Sequence, residues 1–226
     1  MSSMQDNPWD LPGAVDYFKI NRKSMNQLYK SELFFLKDYL KEGISILDIG
    51  CALGGFANVC SERITDFDYT GVDISKNMIL KAREIHPSHQ FYHINEADLS
   101  PVFGKKFDLV LCLGILHLSS KWRELLIEAW NVTNGCFIFD LRETNKPSIE
   151  NIEKSYFKMD FNYTDTLHSE TKIPYIILNT SDALNYIVKN LVGYKTLSQF
   201  GYMHSVSASA VTPIQETMMN TYCIEK

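Results

Sequence analysis

The chain has 226 residues, 45% of them hydrophobic and 22% charged, which suits one globular domain with a full core. Its net charge of −5 argues against a dedicated nucleic-acid surface, and the polar opening "MSSMQDNPWDLPG" does not read as a signal peptide. No apolar run approaches the roughly 18 residues of a membrane span. The five scattered cysteines, with no CxxC pair and no histidines at ligand spacing, predict reduced buried thiols in a cytoplasmic protein and no metal site.

Residues 1–23 read as a loosely structured arm punctuated by Pro8, Pro12 and Gly13. A helix is predicted over 24–42. Ser24 and Gln27 have capping-box spacing, Met25, Leu28, Tyr29, Leu33, Leu36 and Leu40 share one face, and Gly43 stands at the C-cap. Nearly continuous apolar stretches then predict strands at 44–49, 69–73, 91–94, 107–113 and 135–141, separated by amphipathic helices at 55–63, 75–86 and 120–132. The link 95–106 has room for only a turn or two of helix. Such alternation means a Rossmann-like, doubly wound α/β fold: a mostly parallel seven-stranded sheet with helices on both faces. Past Leu141 the pattern changes. Strands at 156–161 and 173–179 flank the polar run "NYTDTLHSE" as an inserted β-hairpin, and a helix at 181–191 with strands at 194–202 and 217–224 completes the sheet. The organisation is one domain, with an N-terminal arm and helix over 1–43, a ligand-binding core over 44–141, an insertion or lid over 142–180 and sheet completion over 181–226.

In an open α/β sheet, ligands bind outside the carboxyl ends of the strands, at the switch point beside the first strand. The stretch "ISILDIGCALGGFANVC" runs from that strand into a turn where Gly50, Ala52, Gly54 and Gly55 let a ligand approach the backbone. Asp73 ends the second strand, where an acid can accept from both hydroxyls of a ribose. "GCALGG" fits G-x-A-x-x-G, near the NAD pattern, and also D-x-G-x-A-x-G once Asp48 is included. A tight turn that binds nothing is the plain alternative. Asp48 would repel a pyrophosphate, whereas a cofactor without phosphates tolerates it.

At this point the chain resembles a known family. "ILDIGCALGGF" is similar to the first motif of class I S-adenosylmethionine-dependent methyltransferases, with Ala52 in place of the middle glycine. "YTGVDIS", "NEADL" and "FDLVLCLGILHL" resemble the second, third and fourth motifs, in order. The resemblance implies a cofactor, S-adenosyl-L-methionine, with S-adenosyl-L-homocysteine as product. It places Asp48 near the methionine amino group and has Gly50, Ala52 and Gly54 line the methionine and ribose. Asp73 would hold the ribose hydroxyls, Ile74 and Met78 cover the adenine, Glu96 accept from the adenine amino group, and Ala97 offer its N–H. Leu113 and Gly114 would lie beside the sulfonium end. Arg22 could pair with the methionine carboxylate or be a solvated surface charge, and Tyr17 and Tyr29 could close over the cofactor, Tyr29 being equally suited to the core.

On the acceptor side, His117 follows "CLGIL" at the carboxyl edge of the fourth strand. A histidine there can take a proton from a hydroxyl or amine, or simply pack. Arg142 could bind an anionic substrate or stand as a rim charge, and His204 is a second substrate-side candidate. The late stretch "KIPYIILNTSDALNYI" is similar to small methyltransferases of polysaccharide or secondary metabolism, which implies a small-molecule or sugar-type acceptor for O- or N-methylation, with neither nucleic acid nor membrane as partner and the oligomeric state open. An NAD(P)-dependent oxidoreductase and a non-catalytic cofactor-binding protein stay as competing readings.

Overall fold

The structure, a computed structural model, describes residues 7–10, 12–158 and 172–226. Neighbouring residues in the central strands are apolar and point to opposite faces, so the sheet needs cover on both sides. Leu47, Ile49, Val110, Phe137 and Phe139 pack on one face with Leu125, Leu126 and Trp130. Ile46, Leu109, Leu111 and Ile138 pack on the other with Leu36, Val59 and Ile79.

The described part of the N-terminal segment, residues 7–10 and 12–23, is built largely of helical turns, which corrects the expectation of a loose arm there. A 3-10 turn at Pro8–Asp10 leads into α1 (Pro12–Ile20). Asp10 fastens it to the first turn of the helix that begins at Lys76: its Oδ1 accepts from Ser75 Oγ at 2.6 Å and from the Asn77 N–H at 3.1 Å. The helix expected over 24–42 is split. Met25–Gln27 form a 3-10 turn, Tyr29 is extended, and α2 runs only Lys30–Tyr39. The cause is Glu32, a buried carboxylate that accepts from the Tyr29 N–H at 3.0 Å and from Arg22 Nη2 at 2.8 Å, so the helix starts at Lys30. Ser24 Oγ bonds to Asn26 instead of capping a long helix.

Then follow β1 (Ile44–Ile49), α3 (Gly55–Ser61), β2 (Phe67–Asp73), α4 (Lys76–Ile85), β3 (Gln90–His93), β4 (Phe107–Cys112), α5 (Trp122–Val132) and β5 (Thr133–Thr144). All five strands are parallel. A single 3-10 turn, Ser100–Val102, occupies the short link before β4. The remaining elements are β6 (Tyr156–Lys158), β7 (Lys172–Pro174), β8 (Leu178–Asn179), α6 (Thr180–Asn190), β9 (Thr196–Ser205), β10 (Ala210–Val211) and β11 (Glu216–Glu225).

The large sheet runs β3-β2-β1-β4-β5-β11-β9, with β8 paired to the end of β5, one strand more than the seven expected. β11 is antiparallel to both neighbours. β6 and β7 pair antiparallel, and β10 joins them as a third strand that the hairpin reading lacked. The polar run between them, with Phe161, Tyr163 and His168, lies outside the described residues. Strand order reverses between β1 and β4, which opens a crevice at their carboxyl ends. No helix among the described residues is long and apolar enough to cross a membrane.

Candidate active site

A cavity of about 420 Å³ lies in that crevice. One end is built by turns that leave parallel strands. After β1, Gly50 adopts φ +77°, and a Cβ there would overlap the Ile115 side chain. Ala52 is also left-handed, at φ +46°, which explains why glycine is the usual residue at this place in the motif. The Ala52 N–H donates to Asp73 Oδ2 at 2.9 Å and the Ser75 N–H to Asp73 Oδ1 at 2.8 Å. Each oxygen of this buried acid therefore has one protein donor and a lone pair to spare. Burial raises the Asp73 pKa, and the two N–H groups oppose that rise.

Asp48 lies below the turn, buried, with Oδ2 accepting from the Tyr69 hydroxyl. Burial pushes its carboxyl up to about 7, against the Tyr69 bond and the Arg22 charge. Ile74, Met78, Glu96, Ala97, Leu113 and Gly114 continue the wall. Glu96 has one oxygen engaged, since its Oε1 accepts from Ser119 Oγ at 2.6 Å. Gly114 is left-handed at φ +79°, and a Cβ there would meet nothing within 4 Å. Gly54 departs from expectation. It caps α3 at φ +77°, its Cβ position faces His86 and Phe91, and Gly55 rather than Gly54 lines the cavity.

The other end is built from distant segments. Arg142, buried on β5, donates from Nη1 to Asp140 Oδ2, and Asp140 Oδ1 accepts from the Gly114 N–H. Burial alone would raise the Asp140 pKa, but Arg142, His117 and the Gly114 N–H together outweigh it and hold the acid below its ordinary value. Arg142 is thus neither a rim charge nor solvated. Arg22, left-handed at φ +57°, pairs with Glu32 and lies 5.3 Å from the Phe56 ring centroid and 5.6 Å from that of Tyr29. His117 is buried in a 3-10 turn, its carbonyl accepting from the Ile176 N–H at 2.8 Å and its ring edge-on to Tyr175 at 5.5 Å. Its Nδ1 has no hydrogen-bond partner among the described residues. Burial first, then Arg142, lowers its pKa to about 3, so it is a neutral imidazole and a weak base. Tyr17 and His204 line the rim, His204 with Nδ1 2.6 Å from the Ser205 carbonyl.

All the sequence-predicted site residues except Gly54 therefore meet in one cavity. Sequence reasoning missed Asp140 and Glu32, the carboxylates that hold the two arginines. A signal for Asp140 existed: it is the one acid inside the apolar run "CFIFDL". Glu32 gave none, because its role depends on a partner outside its helix. Among the described residues no group of three or more His, Cys, Asp or Glu side chains is placed to hold a metal.

A methyltransferase-domain family model matches residues 47–134. Among solved structures, the PH0226 protein of Pyrococcus horikoshii OT3 aligns at a TM-score of 0.54 and 20% identity, covering 91% of this chain and 98% of that one. The N-terminal domain of EvdMO1 with S-adenosylhomocysteine bound aligns at 0.60 and 12% identity, covering 85% and 79%. The match to the methyltransferase-domain model is thus confined to the central part of the chain, and the fold as a whole is the Rossmann-like one of S-adenosylmethionine-dependent methyltransferases. Malonyl-[acyl-carrier protein] O-methyltransferase of Buchnera aphidicola subsp. Baizongia pistaciae (strain Bp) is 31% identical over 142 residues, 59% of this chain and 53% of that protein. The non-reducing polyketide synthase trt4 of Aspergillus terreus is 29% identical over 97 residues, 37% of this chain and 4% of that protein. The chain thus spans about half the length of one relative and a small part of the other.

Proposed function

We propose that this methyltransferase binds S-adenosylmethionine at the turn end of the cavity and methylates an oxygen or nitrogen of a small-molecule or sugar-type acceptor at the other end. The observation that carries the proposal is Asp73: a buried acid with both oxygens oriented by backbone N–H groups, each keeping a lone pair beside the glycine turn. That is what a ribose diol requires. The open space at Gly114 also suits a bound cofactor, since any side chain there would occupy the cavity.

The cofactor supplies an activated methyl group on a sulfonium, so the chain's task is alignment and exclusion of water. Asp73 binds the ribose, Ile74 and Met78 cover the adenine, and Glu96 and Ala97 face its edge. Asp48, Leu113 and Gly114 receive the methionine ammonium, directly or through water, and Arg22 its carboxylate, with Tyr17 above. His117, Arg142 and His204 contact the acceptor. The Buchnera relative's own name, an O-methyltransferase, supports oxygen as the receiving atom. The five free, buried thiols support a cytoplasmic setting, and the acidic chain supports a partner other than nucleic acid.

Calorimetry with S-adenosylhomocysteine, S-adenosylmethionine and NAD in parallel tests the reading. Binding of both adenosyl compounds and no heat from NAD is the expected result. Heat from NAD alone would turn the site over to hydride chemistry, and cofactor binding without transfer to any acceptor would leave a binding protein.

A further inference from the structure

Resting on that methyltransferase reading, we propose that the acceptor is a carboxylic acid, that Arg142 holds its carboxylate, and that the product is a methyl ester. The argument starts with Arg142 itself. It is a buried cation on the cavity wall, and Asp140 takes one of its nitrogens, Nη1. A guanidinium has five N–H donors in a planar fork that matches a carboxylate. Anchored through Asp140 to its own strand, that fork is set in place before any ligand arrives.

The second observation is what this end lacks. A hydroxyl acceptor needs a base, and the described side chains around Arg142 do not supply a good one. The buried Nδ1 of His117 is unpartnered, and Arg142 and Arg22 both disfavour protonation of its ring while Asp140 favours it. Burial and the arginines prevail, so the imidazole can hydrogen-bond but takes up no proton near neutrality. Asp140 and Glu32 are each committed to an arginine. His204 is half-buried at the rim on β9, two strands across the sheet from Arg142, with Nδ1 bonded to its neighbour's carbonyl. An acceptor that arrives already anionic needs no base.

The step balances without a proton. A lone pair of the carboxylate oxygen forms the O–CH3 bond as the S–CH3 bond breaks, and that bond's electron pair stays on sulfur as a neutral thioether. Opposite charges vanish together, which a wall rich in aromatic side chains such as Tyr29, Phe157 and Tyr175 favours over water.

The test uses the full chain saturated with S-adenosylhomocysteine. Failure to bind S-adenosylhomocysteine would overturn the methyltransferase reading and is thereby told apart from failure of the acceptor proposal. The loaded protein is titrated with hexanoate and benzoate against hexanamide and benzamide. The acids should bind about tenfold or more tighter than their amides. Arg142→Gln should erase that preference and Arg142→Lys, which keeps the charge without the fork, should retain part of it, both checked for folding by circular dichroism. Equal affinity of acids and amides in the parent protein overturns the proposal. Methyl-labelled S-adenosylmethionine supplied with a bound acid should give label that mild alkali releases as methanol. Alkali-stable label, or none, overturns the ester step.

Discussion

The two ends of the cavity are made in different ways. At the cofactor end, Gly50, Ala52, Asp73, Glu96 and Gly114 each lie within a few residues of where a parallel strand stops, and backbone geometry does most of the positioning. At the acceptor end, His117, Arg142, Phe157, Tyr175 and His204 come from separate stretches brought together by packing and an ion pair, and Arg22, proposed to meet the cofactor from the N-terminal arm, is held in the same long-range way. A βα unit writes its ligand contacts into local sequence. The acceptor pocket exists only after the chain has folded around it, and each part is held by something far away.

If this contrast is right, breaking a long-range pair should damage the fold, whereas breaking a local contact should damage binding. The largest effect belongs to Glu32→Ala, which leaves Arg22 without its buried partner. It should destabilise the protein by about 3–5 kcal/mol in urea unfolding. A loss under about 1 kcal/mol would mean that the fold does not depend on this long-range pair.

Asp73→Ala should instead leave a folded protein with S-adenosylhomocysteine affinity weakened by about 1.5–3 kcal/mol, read by calorimetry. Unchanged affinity would remove Asp73 from the cofactor end.

The two ends should also respond to acid in opposite senses. His117 has a folded pKa of about 3, below its ordinary 6.5, so its contribution is present above 6.5 and lost as pH falls toward 3. Asp48, raised from 3.8 to about 7, contributes fully below 3.8 and loses that contribution as pH climbs through about 7. Relative to the parent, His117→Asn should flatten the acid-side loss and Asp48→Asn the loss on the way to neutrality, measured by urea unfolding across pH. Identical pH profiles for parent and variants would mean that both groups titrate normally.

The smallest effect is expected at Ala52→Gly. Relief of a left-handed alanine, about 1–2 kcal/mol, is set against the entropy of an added glycine, about 0.5–1 kcal/mol. A melting temperature raised by a degree or two would fit, and a fall would show that the Ala52 methyl packs usefully.

The same contrast governs what could be read in advance. Strand positions, the glycine turn and its acids are legible because alternation, turn chemistry and spacing are local signals. Gly54 was misplaced because a glycine turn says how sharply the chain bends but not which residue faces inward; His86 and Phe91 decide that. The split before α2 was hidden because Ser24 to Leu40 keeps a helical apolar period, while the break comes from the Glu32–Arg22 pair. The docked arm was unreadable because Asp10 and Ser75 stand 65 residues apart.

Asp140 has one oxygen on the Gly114 N–H and the other on Arg142. A single carboxylate thus joins a residue at each end of the cavity, Gly114 and Arg142. We therefore expect cofactor and acceptor to be thermodynamically linked. Such linkage is reciprocal: whatever factor the cofactor applies to the acceptor's affinity, the acceptor applies to the cofactor's. Asp140→Asn, which weakens one half of the bridge, should bring that cooperativity factor closer to one in both directions by the same amount.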